Sequence, residues 1–132
     1  MLHIPKASSL LTSTFLLFVA LPAMAGEFNV PVNTSRKITW RVYLYEDCKS
    51  MGEAVIRITL PPTHGRTEIK RGTDHTNFQE PNPRVVCNTR SVPSIQVWYI
   101  PEKDYTGPDE VSMEILSPDG KLTKQDISIL VR

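Results

Sequence analysis

The sequence predicts an all-β sandwich of about seven strands, and three observations support this fold class. Apolar and polar residues alternate along much of the chain, a period typical of strands with one buried face. Clusters of Pro, Gly, Asp and Asn separate these runs at short intervals, and no run shows a helical period. Two cysteines follow a leader typical of exported proteins, so we expect one disulfide in the domain.

The last third of the chain contains the clearest strands, at residues 95–100, 111–115 and 127–131. In the first of them the side chains alternate, with Ile95, Val97 and Tyr99 on one face and Gln96, Trp98 and Ile100 on the other. Pro118-Asp119-Gly120 predicts a turn, because Pro presets φ, Asp bonds its own backbone and Gly allows a positive φ.

Residues 1–25 predict a cleaved secretory signal peptide. Lys6 precedes an apolar run at residues 10–21, and Ala23-Met24-Ala25 places the cleavage before Gly26. The run is too short for a membrane anchor of about 20 residues, and no second apolar run follows. We therefore expect a single domain at residues 26–132, periplasmic or secreted, without membrane insertion.

The charge balance argues against a nucleic-acid partner. The chain has 15 basic and 14 acidic residues, and Lys6 is the only Lys or Arg in residues 1–25. The remaining domain therefore has equal numbers of basic and acidic residues, whereas binding a polyanion usually requires a basic surplus.

Cys48 and Cys87 are the two cysteines, and an oxidising compartment makes a disulfide between them the default. A metal–thiolate site is disfavoured because no CxxC spacing is present. A catalytic thiol would need a base, and no motif ties a histidine to either cysteine.

Two strands are predicted early in the domain. Residues 26–32 contain Pro31, which cannot donate a ladder hydrogen bond and so favours a sheet edge. In residues 36–45 we assign one alternating face to the core, namely Ile38, Trp40, Val42 and Leu44. The opposite face carries Arg41, Tyr43 and Tyr45, residue types that recognition surfaces favour, although exposed sheet faces also carry aromatics routinely.

Residues 54–60 and 66–70 predict a β-hairpin, with Ala54, Ile56, Ile58 and Leu60 facing inward. His64 lies in its turn, where a solvent-facing histidine is favoured over a metal ligand because a metal site needs several converging ligands.

Residues 71–83 predict a long polar loop, which is typical of functional or mobile segments. Asp74-His75 permits a metal or acid–base interpretation, but a solvated loop is favoured because no third group has a recognisable spacing from the pair. Phe78 either caps the core or is displayed to a partner. Residues 84–87 predict a short strand.

Three segments resemble bacterial immunoglobulin-like, cadherin-like domains: LPPTHGRT at residues 60–67, YIP at 99–101 with YTGPDEV at 105–111, and Asp119-Gly120 before the last strand. The resemblance implies an immunoglobulin-like β-sandwich with an adhesive, scaffolding or partner-binding role and no catalysis. Those domains usually occur in tandem arrays, whereas this sequence carries one copy. Their acidic calcium-binding clusters have no counterpart here, so calcium is not expected.

The favoured function is a non-enzymatic module that binds a protein, as an inhibitor, an immunity protein or an accessory subunit. The candidate contact residues are Arg41, Tyr43, Tyr45, His64, Asp74, His75 and Phe78. The alternative is a structural or adhesive subunit that binds glycan or self-assembles through edge strands, including the one at residues 127–132. No cofactor, metal or catalytic residue is expected, because the sequence lacks a nucleophile, base and stabiliser in a recognisable context.

Overall fold

The computed structural model describes residues 27–132, which form seven β-strands and one 3₁₀ helix. The predicted signal peptide at residues 1–25 lies outside this part of the chain. The strands are β1 (Glu27–Val30), β2 (Arg36–Arg41), β3 (Val55–Leu60), β4 (Gly65–Asp74), β5 (Val92–Pro101), β6 (Gly107–Leu116) and β7 (Leu122–Val131), and the 3₁₀ helix is Pro83–Cys87. No helix within residues 27–132 is long and apolar enough to cross a membrane.

The strands form two sheets, which confirms the predicted all-β sandwich. One sheet has four strands in the order β1-β7-β6-β3, and the other has three in the order β2-β5-β4. β1 runs parallel to β7, and every other pairing is antiparallel.

The main core lies between the sheets and follows the predicted alternation of the last third of the chain. Side chains that point inward from β5, β6 and β7 are buried, and apolar residues of the other strands complete the cluster. The buried members are Val30, Ile38, Ala54, Ile95, Val97, Tyr99, Val111, Met113, Ile115, Ile127, Ile129 and Val131.

The sequence predicted edge strands near both ends of the domain, and this prediction is confirmed for β1 and wrong for β7. β1 is an edge strand, as Pro31 indicated. β7 lies between β1 and β6, so the prediction that residues 127–132 form a free edge is wrong.

Two β-bulges explain why Trp40 and Leu60 are not core residues. Lys37 pairs with Trp98 and Thr39 with Val97, so one extra residue lies between them and both Ile38 and Thr39 are buried. Trp40 therefore points outward, and β2 ends at Arg41; beyond it Leu44 is buried and Val42 packs against a second, smaller core, as their predicted core positions required. The second register shift follows Ile58 and turns Leu60 outward.

The predicted hairpin of residues 54–60 and 66–70 is wrong, because its two strands belong to different sheets. β3 pairs with β6, whereas β4 pairs with β5, so the chain crosses between the layers after Leu60. Pro61 and Pro62 donate no backbone hydrogen bond and so end β3. β4 continues to Asp74, which shortens the predicted polar loop.

The predicted strand at residues 84–87 is also wrong, since this segment is the 3₁₀ helix Pro83–Cys87. Pro occupies its first turn, and the side chain of Asn82 accepts a hydrogen bond from the Arg84 N–H, which satisfies the N-terminus. The predicted disulfide is confirmed: Cys48 is bonded to Cys87, and Cys87 forms a second small core with Leu44 and Val92.

Candidate binding face

The outward surface of the three-stranded sheet carries an ordered cluster of aromatic and charged side chains. Residues directly opposite one another in a sheet share a face. Lys37 and Glu68 both oppose Trp98, while Trp40 and Lys70 both oppose Gln96. We call the surface formed by these residues together with Ser94 and Asp74 the Trp face.

Asp74 organises the Trp face from the end of β4. Its Oδ2 accepts hydrogen bonds from the Ser94 hydroxyl at 2.6 Å and from Gln96 Nε2 at 2.8 Å, and its Oδ1 bonds the Lys37 ammonium. The amide oxygen of Gln96 in turn accepts a hydrogen bond from the indole N–H of Trp98 at 3.0 Å. The network thus joins all three strands of the sheet.

Three side chains of this network are largely buried although they lie on an outward sheet face. Ser94 and Gln96 are almost fully buried, and the Asp74 carboxylate is only slightly accessible. Burial would raise the pKa of Asp74, but hydrogen bonds from Lys37, Ser94 and Gln96 outweigh it, so the pKa lies below its usual value. The carboxylate is therefore ionised at neutral pH and holds its donors in place.

Each indole of the Trp face carries a lysine ammonium. Lys37 Nζ lies 5.2 Å from the centre of the Trp40 ring, and Lys70 Nζ lies 5.5 Å from that of Trp98. Such contacts restrict the rings and place positive charge beside them. Trp40 remains 47% exposed, so a large aromatic surface is available at a well-ordered position.

Asp74 is the predicted site residue that belongs to the Trp face. The next residue, His75, is exposed, and its Nδ1 lies 3.2 Å from the Asn88 carbonyl oxygen. Phe78 is half-buried and packs against the small core beside the disulfide, and its contact with a partner stays a prediction. Asn88 holds this loop, since its side chain bonds both the N–H and the carbonyl of Phe78 at 2.9 Å.

The predicted row of Arg41, Tyr43 and Tyr45 is not an exposed strand face, because β2 ends at Arg41. The Arg41 guanidinium bonds Gln125 of β7 and so connects the two sheets. Tyr43 packs against the main core, and its pKa is raised by burial. Tyr45 is exposed. Whether these residues bind a partner stays a prediction.

His64 lies where the chain crosses from β3 to β4, away from the Trp face. Its ring stacks on Tyr105 with centroids 4.2 Å apart, and its backbone N–H donates to Asp109 at 3.0 Å. Asp109 also accepts hydrogen bonds from the Thr63 N–H at 2.9 Å and the Tyr99 hydroxyl at 2.8 Å. The segments at residues 60–67 and 99–111, which resemble immunoglobulin-like, cadherin-like domains, therefore meet at the buried carboxylate of Asp109. This carboxylate fixes the crossing from β3 to β4.

Sequence reasoning missed most of the Trp face. The alternation of residues 95–100 placed Gln96 and Trp98 together and was the available signal. Trp40 was assigned to the core because a bulge has no local sequence signature. In the part of the chain from Glu27 onward, no group of three or more His, Cys, Asp or Glu side chains is arranged to hold a metal.

Comparisons of the chain with models of known protein families, with curated proteins and with solved structures find no match. The resemblance to bacterial immunoglobulin-like, cadherin-like domains therefore stays a prediction.

Proposed function

We propose that residues 26–132 form an exported, non-enzymatic binding module that engages a protein in the periplasm or cell envelope through the Trp face. The observation that carries this proposal is the half-exposed Trp40 beside Trp98, both on a face ordered by the Asp74 network. Trp is among the residue types that contribute most to the energy of protein interfaces.

Order in the free protein supports binding, because side chains that are already fixed lose little entropy on association. The hydrogen bonds of Asp74 and Gln96 restrain Lys37 and Trp98 before a partner arrives. A fully satisfied buried polar network rigidifies the side chains that it joins, and here these include Lys37 and Trp98 of the Trp face.

The charges of the Trp face indicate the chemistry of the partner. Lys37 and Lys70 balance the negative charges of Glu68 and Asp74, and Arg66, which opposes Ile100 at the next outward position of β4, extends the face by one more cation. The face thus presents aromatic surface with a small cationic excess, which suits a protein patch of apolar and acidic residues. The disulfide between Cys48 and Cys87 supports an oxidising compartment for both proteins.

Site-specific photocrosslinking in cells of the source organism tests the proposal. Trp40 is replaced by the photoreactive residue p-benzoylphenylalanine, which keeps an aromatic side chain at that position. The matched control carries the same residue at Leu122, which is 57% exposed on the outer face of the other sheet. We expect a protease-sensitive adduct from position 40 and none from position 122.

The variants Trp40→Ala and Leu122→Ala complete the test with the captured partner. Loss of an aromatic contact at the centre of an interface weakens binding by about tenfold or more, whereas Leu122→Ala leaves the affinity unchanged. Equal adducts from both positions, or undiminished affinity of Trp40→Ala, would contradict the proposal. An adduct removed by glycosidases instead of proteases supports the alternative function, a glycan-binding adhesive subunit.

A further inference from the structure

β4 is a long strand with one side unpaired by any strand in residues 27–132. It has ten residues, and β5 pairs with it along its whole length on the other side. An edge of this kind presents a row of backbone N–H and C=O groups to which another strand can add.

The side chains of β4 indicate which strand would pair with this edge. Arg66, Glu68 and Lys70 alternate in charge along the outward face. Ile69 points inward, directly opposite the fully buried Val97, and yet remains 43% exposed because it lies at the open seam between the sheets. The edge therefore combines an alternating charge pattern with an incompletely covered apolar side chain at its middle.

We propose that β4 pairs antiparallel with β4 of a second copy of this chain, in a register centred on Ile69. A two-fold axis perpendicular to the sheet then joins the two three-stranded sheets into one of six strands. The Ile69 side chains of the two copies meet at the axis and cover each other. Glu68 of each copy lies opposite Lys70 of the other, so two intermolecular ion pairs flank the apolar contact and take over from the pairs that Glu68 makes with Arg66 and Lys70 of its own chain.

Other registers that keep the faces aligned are worse. Centring on Glu68 places two Glu68 side chains opposite each other and Arg66 opposite Lys70. Centring on Lys70 opposes two Lys70 side chains. Centring on Thr67 matches Arg66 with Glu68, but it pairs only residues 65–69 and leaves Ile69 opposite Gly65. The Ile69 register alone combines matched charge, apolar contact and overlap of nearly the whole strand.

Arg71 does not prevent this pairing, although an inward-pointing charge often protects an edge strand. Its Nε lies 2.6 Å from Glu53 Oε1 of the same chain, which neutralises its charge. In the proposed register Arg71 faces Thr67 of the second copy, so no cation opposes it.

The dimer does not rest on the proposed protein-binding function, although Glu68 and Lys70 also belong to the Trp face. The pairing uses the edge of β4, so the Trp faces of the two copies lie side by side on one surface of the joined sheet. Residues 40 and 122 lie outside the β4 edge, so failure of the crosslinking experiment and failure of dimerisation are separate results.

Charge reversal tests the register in solution by sedimentation. We expect the wild-type protein to dimerise at concentrations up to about 1 mM, a range in which even weak complexes are populated. Glu68→Lys and Lys70→Glu each place like charges opposite each other and weaken their own dimer by about tenfold. An equimolar mixture of the two variants restores opposite charges at both positions and forms a heterodimer of wild-type affinity.

Cysteine crosslinking tests the same register by distance. In antiparallel pairing the two residues at the axis have Cα atoms about 4.5–5.5 Å apart, within the range of a disulfide. Ile69→Cys is therefore expected to crosslink under mild oxidation. Thr67→Cys is the control, because the two copies of residue 67 would be about 14 Å apart. A wild-type monomer at about 1 mM, no recovery in the mixture, or crosslinking through residue 67 instead of 69 would overturn the proposal.

Discussion

Gly72 allows the amide of Gln96 to lie directly on the backbone of β4. A Cβ atom at Gly72 would lie 2.5 Å from Gln96 Nε2, closer than two such atoms can approach. Gln96 is also the link between Asp74 and the indole of Trp98. The absence of one methyl group at residue 72 is therefore a condition for the geometry of the Trp face.

Gly72→Ala is expected to displace the Gln96 side chain and break its hydrogen bonds to Asp74 and Trp98. The free energy of unfolding falls by about 1–2 kcal/mol, measured by urea denaturation. Gly65→Ala is the comparison, since its Cβ would lie 2.5 Å from the Ile100 carbonyl oxygen, a backbone atom that yields less easily. We expect a larger loss there, about 3 kcal/mol.

A double-mutant cycle checks the cause of the Gly72→Ala effect. In a Gln96→Ala background the amide that opposes the new methyl group is gone, so the added cost of Gly72→Ala should be small. Equal costs of Gly72→Ala in the two backgrounds would show that the substitution acts through the backbone of β4 and not through Gln96.

Ile38 and Trp40 show what the alternation of residues in β2 can predict and what it cannot. Simple alternation assigned both to the core, and for Ile38 that assignment is correct. The extra residue of the bulge in β2 exchanges the faces between them, and Trp40 moves to the surface. A bulge depends on how β2 meets β5, so the sequence of β2 alone does not contain it.

At the scale of elements, the disulfide joins the loop after β2 to the 3₁₀ helix Pro83–Cys87. The two cysteines are 39 residues apart, and β3 and β4 both lie in the closed segment. A link of this span restricts the unfolded chain strongly. It also anchors the connection after β4, which is held further by the hydrogen bonds of Asn88 and by the packing of Phe78 against the small core.

Removal of the disulfide by Cys48→Ala with Cys87→Ala is expected to lower the free energy of unfolding by about 3–4 kcal/mol. Equilibrium denaturation measures this loss, and reduction of the wild-type protein is the matched comparison. Because the unlinked chain expands further when unfolded, the dependence on denaturant should also steepen. An unchanged denaturation midpoint would mean that contacts in the folded state hold Cys48 and Cys87 together without help from the covalent bond.

The elements differ in how well the sequence predicted them. Alternation at residues 95–100, 111–115 and 127–131 identified β5, β6 and β7, but it missed the first residues of each strand. β3 and β4 were also recognised as strands, but adjacency in sequence predicted a hairpin. The 3₁₀ helix was taken for a strand because a run of Val-Val-Cys fits both structures when it is so short.

At the scale of the molecule, the Trp face depends on which strands are neighbours. β2, β5 and β4 are separated in sequence, and their pairing brings Lys37, Asp74 and Gln96 together. Periodicity within one strand predicts which side chains share a face of that strand, but not which strands lie beside it. The sequence could therefore predict the sandwich and the shared face of Gln96 and Trp98, while most of the Trp face required the sheet topology.

Stability of the whole domain should depend on pH through Asp109 and Asp74, which fix the crossing between the sheets and the Trp face respectively. Burial opposes ionisation of Asp109, but hydrogen bonds from the Tyr99 hydroxyl and from backbone N–H groups, including that of Thr63, outweigh it and hold its pKa below its usual value. The pKa of Asp74 is lowered in the same way. A carboxyl group whose pKa is lower in the folded state adds stability above its unfolded pKa, and that stability is lost as pH falls through the folded value.

The free energy of unfolding is therefore expected to be constant near neutral pH and to decrease as the pH falls below about 4. Asp109→Asn should cost about 3 kcal/mol at pH 7, because its NH₂ group would face donors that now bond an oxygen. The difference from wild type should shrink in acid, where the wild-type carboxylate becomes protonated. Asp126→Asn, which changes an exposed carboxylate, is the control and should follow the wild-type profile. A constant difference for Asp109→Asn between pH 7 and pH 2 would mean that the shape of this side chain, and not its charge, holds the two layers together.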